Sequence, residues 1–159
     1  MAAEEQFSYR SIAEVLFESS KTRQIANLSY EISLVLYKRK NSYWGLENFD
    51  VIGNREGVDL PPVSSIIEGC RLNHTKEVVL VHNHPYIQGR CSPEPSKLDI
   101  ATTRKYFKWL NQAGIKLLDH IIISPEGHCS FVERGIPFQK SSGPKGLLHF
   151  YLRFFRLKG

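Results

Sequence analysis

No apolar run in the chain approaches the ~20 residues of a membrane-spanning helix. The opening "MAAEEQFSYRSIAEVLF" carries acids where a secretory leader has basic residues before an apolar stretch. Neither a membrane span nor an export signal is indicated, and a cytoplasmic protein is expected. Cysteine is scarce: Cys70, Cys91 and Cys129 are odd in number and widely spaced, which argues against a disulfide framework and against a four-cysteine zinc site. Internal repeats and low-complexity runs are also missing, so a solenoid or a largely disordered chain is not expected. Nor is charge of one sign gathered in a block. The formal excess of +5 is spread along the sequence, which reads most simply as a solvated basic surface.

What remains is enough for one compact domain with its own core: 159 residues exceed the minimum for a stable core and fall short of two ordinary domains. Ser8 to Ser19, with Ile12, Val15 and Leu16 at helical spacing, predicts an N-terminal helix, so residues 1–27 are read as a helix packed on the domain. In "LSYEISLVLYKRKNSYWGLENFDVIG", Tyr30, Ile32, Leu34 and Leu36 alternate, a polar turn follows, and residues 43–51 return, a β-hairpin. "PPVSSIIEGCRLNH" reads as a helix with Pro62 in its first turn and Ile66, Ile67 and Cys70 inward. The β-branched "EVVLV" reads as a central strand. "SKLDIATTRKYFKWLNQAG" gives a second long helix, with Ile100, Thr103, Phe107 and Leu110 on one stripe and Gly114 as its stop. "IKLLDHIIIS", "PEG" and "HCSFVERG" then give strand, turn and strand. This order predicts an α/β fold, an α-β-α sandwich around a mixed sheet. Residues 139–159, a Gly/Ser/Pro linker and a basic aromatic tail, are read as a segment that packs on the domain or a partner.

One stretch carries chemistry: "VHNHPYIQGRCSPEPSKLDIA", residues 81–101. Strand residues two apart share a face, so His82 and His84 converge where the central strand ends. Neutral imidazole is a good zinc ligand, but a catalytic zinc usually has three protein ligands. Asp99, in the first turn of the following helix, can be the third. The competing reading is a capping box, with Ser96 capping the helix and Asp99 bonding backwards from its third position. Asn83, between the histidines in sequence, points the other way and pins the strand end. Asp119 and His120 read as structural partners.

His82-Asn83-His84-Pro85 followed by Pro95-Ser96-x-x-Asp99-Ile100 resembles the JAMM (JAB/MPN) metal motif in the form carried by bacterial RadC proteins. "LLDHIIISPEGHCSFVERG", residues 117–135, resembles the end of the same domain; the likeness runs over about residues 28–136, and the domain is read as residues 28–138. It implies a JAB/MPN-type, cytidine-deaminase-like single domain. It further implies that His82, His84 and Asp99 hold Zn2+, that a glutamate from an early strand takes a proton from water, and that Ser96 helps to hold the oxyanion. Glu47, in the second hairpin strand and before Gly53, best matches that glutamate; Glu31 and Glu56 are the alternatives. The implied activity is hydrolysis of an amide bond by a peptidase or isopeptidase acting on a protein or peptide, with a ubiquitin-like modifier as one candidate.

The chain departs from the pattern in one loop. Where relatives have about ten residues between the second histidine and the aspartate, fourteen stand here, an extension that costs little closure entropy. Residues 86–93 are therefore expected to give this chain its own substrate contacts, and Cys91 within them reads as a free thiol. Two other functions stay open: a RadC-type DNA-repair or mobile-element factor that binds nucleic acid, and a non-catalytic MPN scaffold. An HNH nuclease is rejected, since its residues are not contiguous. A nucleobase deaminase lacks its His-x-Glu and Pro-Cys-x-x-Cys signals here, and an all-β cupin is at odds with two long helices.

Overall fold

The computed structural model describes residues 20–38, 45–52, 60–85 and 92–138, with side chains for all but 20–22 and 45–52. Among the described residues, three helices and five strands follow one another as α1 (Ser20–Ala26), β1 (Ile32–Tyr37), β2 (Gly45–Ile52), α2 (Val63–Leu72), β3 (Glu77–Asn83), α3 (Lys97–Gln112), β4 (Lys116–Ser124) and β5 (Gly127–Ser130). The strands form one sheet in the order β2-β1-β3-β4-β5. It is mixed: β3 and β4 run parallel, joined through α3, and every other neighbouring pair is antiparallel.

Alternation along the central strands builds two cores. Val78 and Leu80 of β3 face α2 and α3 with Val35, Tyr37, Ile66, Cys70, Tyr106 and Leu110. Val79 and Val81 face the other way, onto Ile25 and Ala26 of α1 with Leu34, Leu36, Ile121 and Ile123. Because β3 is covered on both faces, an uninterrupted apolar run was its signature. The expected sandwich around a mixed sheet is what forms. Among the described residues, no helix is long and apolar enough to cross a membrane.

Several local expectations shift. Pro62 stands at the N-cap of α2 rather than within its first turn, and Ile67 is 41% exposed while Ile66 and Cys70 are buried. In α3 the buried stripe is Thr103, Tyr106 and Leu110. Tyr106 displaces Phe107 because its hydroxyl reaches the Leu60 and Pro61 carbonyls, at 3.0 Å each, while its ring packs in the core. The last strand is shorter than "HCSFVERG" suggested: β5 ends at Ser130 and residues 131–135 turn. The cause is the buried Asp119 carboxylate, which accepts from Val132 N and Ser130 Oγ, while Gly135 at φ +64° completes the bend. The stretch Ser8–Ser19, residues 86–91 with Cys91, Glu56 and the tail from 139 lie outside the described residues.

Candidate metal centre

The site forms where β3 ends and α3 begins, the carboxyl-end position at which α/β sheets usually bind ligands. Two local devices build it. Asn83 Oδ1 accepts from Ile32 N at 2.6 Å and its Nδ2 donates to the Tyr30 carbonyl at 3.0 Å, which pins the strand end on the face away from the histidines. At the other side, Ser96 Oγ accepts from Asp99 N at 3.1 Å while Asp99 Oδ2 accepts from Ser96 N at 2.6 Å. That is a complete capping box.

The same aspartate also faces the histidines. Asp99 Oδ1 lies 3.4 Å from His82 Nε2, Asp99 Oδ2 lies 3.5 Å from His84 Nε2, and the two Nε2 atoms are 3.1 Å apart. The two readings of Asp99 are therefore not alternatives, because the cap fixes the carboxylate where it meets the imidazoles. One candidate ligand atom from each residue lies within 4.8 Å of the others.

His84 Nδ1 is 3.0 Å from the Ser92 carbonyl, which can only accept, so Nδ1 carries a proton, and Nε2 faces inward. His82 is buried, and burial pushes its pKa down to about 4 despite the Asp99 charge. Burial also opposes charge on His84. There the hydrogen bond to Asp99, the Ser92 carbonyl and the charges of Asp99 and Glu31 outweigh it and raise the pKa. Asp99 is held well below the usual carboxylate range: burial works against this, but His84, His82 and the Ser96 bonds prevail. The cluster brings two imidazole Nε2 atoms and an ionised carboxylate together, an N/N/O set that could hold a divalent ion such as zinc.

Ser96 is exposed at the rim; its hydroxyl accepts from Asp99 N, which leaves its O–H able to donate. Glu47 lies on β2 with Val35 as its partner, and Val35 in turn pairs with Leu80; its side chain is outside the described set. Two residues that sequence reasoning treated as structural or as core lie directly behind the ligands: His120 Nε2 is 2.8 Å from His82 Nδ1, and Thr103 Oγ1 is 2.6 Å from His120 Nδ1. The parallel pairing of β4 with β3 brings His120 there, opposite Leu80, and no spacing in the sequence reports it.

The chain matches the family model described as "RadC-like JAB domain" over residues 15–136. It is similar to a protein named "UPF0758 protein" from Pelobacter propionicus, 49% identical over 59 residues, 37% of this chain and 24% of that protein. A UPF0758 protein of Acinetobacter baumannii is 44% identical over 61 residues, 38% of this chain and 24% of its own length. One from Xanthomonas euvesicatoria is 35% identical over 83 residues, 52% and 35% of the two chains. The matched stretches thus span between a quarter and about a third of these curated relatives.

Proposed function

The chain belongs to the RadC-like JAB domain family, and from that membership we propose that it is a zinc-dependent hydrolase of the JAMM type, a peptidase or isopeptidase that cleaves an amide bond in a protein or peptide. The observation that carries this reading is the convergence of His82, His84 and Asp99 at the end of β3. His82, His84 and Asp99 would hold the zinc, which would supply Lewis acidity and make the attacking water more acidic.

The chain's own groups do the rest. A carboxylate beside the ligands takes the proton of the attacking water and delivers it to the leaving amine. Glu31 is better placed for this than Glu47. Its charge is felt at His84, whose pKa it helps to raise. The antiparallel β1–β3 ladder sets Ser33 opposite His82, and the same register carried two residues further would set position 31 opposite position 84. Glu47 sits a strand further out, level with Leu80 rather than with the histidines, and is the second choice. Ser96, at the mouth of the site, donates its O–H toward the developing oxyanion.

Zinc per chain, measured by elemental analysis on the parent and on Asp99→Ala, is the first test, with about one zinc expected in the parent and far less in the variant. Chelator-sensitive cleavage of fluorogenic peptide and isopeptide-linked substrates, including a fused ubiquitin-like modifier, is the second. Glu31→Gln is expected to keep zinc and lose at least 100-fold in turnover, the scale of a general base, while Glu47→Gln keeps most of its activity. A parent without zinc after incubation with the metal, or a zinc protein that cleaves none of these substrates, removes the hydrolase reading.

A further inference from the structure

Behind the three ligands runs a chain of hydrogen bonds that the metal site alone does not require. Thr103 Oγ1 lies 2.6 Å from the backbone carbonyl of Asp99 and 2.6 Å from His120 Nδ1. A carbonyl accepts only, and a hydroxyl has one proton. The arrangement that satisfies both contacts has Thr103 donating to Asp99 O and accepting from His120 Nδ1–H. If the threonine proton pointed at His120 instead, two oxygen acceptors would face each other at 2.6 Å inside the protein.

The consequence passes along the line. With its proton on Nδ1, neutral His120 turns a lone pair on Nε2 toward His82 Nδ1, 2.8 Å away, which must then donate. His82 is left with its lone pair on Nε2, the atom that faces His84 and Asp99. Both imidazoles are buried, His120 at 1% and His82 at 3% exposure, and burial favours their neutral forms. Phe131 stacks on His120 from behind, with ring centroids 5.0 Å apart.

We infer that Thr103, acting through His120, sets the tautomer of His82 and thereby presents its Nε2 lone pair to the metal position. Thr103 and His120 are positioning residues, and neither touches the metal position. The line starts on the helical turn that carries Asp99 and ends on the strand that carries His82. One hydroxyl therefore ties two ligands from different elements into a single arrangement. Only the zinc arm of the test rests on the reading of His82 as a ligand; the tautomers are a property of the metal-free chain.

The experiment is a long-range proton–nitrogen correlation spectrum of the full chain, labelled with 15N-histidine, free of metal at pH 7.5. Two-bond couplings identify which ring nitrogen carries the proton. Single Nδ1–H tautomers are expected for both His82 and His120. Thr103→Val removes the hydroxyl at nearly equal volume and is expected to convert both rings to mixed or Nε2–H forms, whereas Thr103→Ser restores the parent pattern. Zinc affinity, by competition with a chromophoric chelator, is expected to fall roughly 10- to 100-fold in Thr103→Val and to be unchanged in Thr103→Ser. An Nε2–H tautomer at either ring in the parent overturns the inference without any variant, as does an unaltered pattern in Thr103→Val. Failure of every amide substrate leaves these spectra standing and counts against the hydrolase reading alone.

Discussion

Asp99 carries two jobs with one carboxylate, and the two can be separated by substitution. His82→Ala and Asp99→Ala each remove one of the three proposed ligands and are expected to abolish tight zinc binding in equilibrium dialysis. Ser96→Ala removes the cap's acceptor and leaves His82, His84 and the Asp99 carboxylate in place. Asp99 Oδ2 still accepts from the backbone N of residue 96, so this variant is expected to lose about 1 kcal/mol in chemical denaturation and keep its zinc. Retention of zinc by Asp99→Ala, or its loss in Ser96→Ala, would show that the two roles had been assigned to the wrong atoms. Away from the site, Gly69 faces the buried Tyr37 ring so closely that a methyl group there would overlap it. Gly69→Ala is expected to cost about 1 to 3 kcal/mol by overpacking, measured as a shift in urea midpoint at constant slope.

Among the elements, β4 determines how the second half of the sheet ends. Asp119 accepts from His120 N, Val132 N and Ser130 Oγ and so turns the chain out of β5. Burial raises its pKa to about 6, against the effect of those hydrogen bonds and with help from Glu133. The folded state therefore binds this proton more tightly than the unfolded chain, and the associated stability is present at low pH and lost as pH rises through about 6. Asp119→Asn keeps an acceptor for the two backbone N–H groups and cannot ionise. Relative to the parent, the variant is expected to gain on the order of 1 to 3 kcal/mol between pH 4 and pH 7, read from denaturation curves at the two values. A difference that does not change with pH would mean that Asp119 is ionised in the fold throughout.

For the whole molecule, the three proposed ligands bridge the end of β3 and the start of α3, so an ion bound there would bind the folded chain and not the unfolded one. At a thousandfold excess over Kd that linkage is worth about 4 kcal/mol, which for a chain of this size raises Tm by roughly 10 °C. Calorimetry with and without zinc is expected to show this rise in the parent and none in Asp99→Ala. The element order and the sandwich were legible because both depend on periodicity: the alternating hairpin, the doubly buried "EVVLV" and the capped helix from Ser96 each have a local signature. His82, His84 and Asp99 were legible for the same reason, since one strand end and one helix start hold all three. Register was not legible. Pairing of β1 with β3 sets Ser33 opposite His82, and pairing of β1 with β2 leaves Glu47 level with Leu80, a register that the position of Glu47 in the hairpin does not report.

The sequence by itself determined the elements, the two faces of β3 and the candidate ligand trio, because each follows from side-chain spacing within a single segment. Tertiary structure alone decided what stands behind and beside that trio. His120 reaches His82 only through the parallel β3–β4 pairing, Thr103 reaches His120 only because α3 packs over that pair, and β5 stops early only because Asp119 is buried against it. These contacts join residues distant along the chain, and their energies come from buried hydrogen bonds that exist only after the sheet has closed.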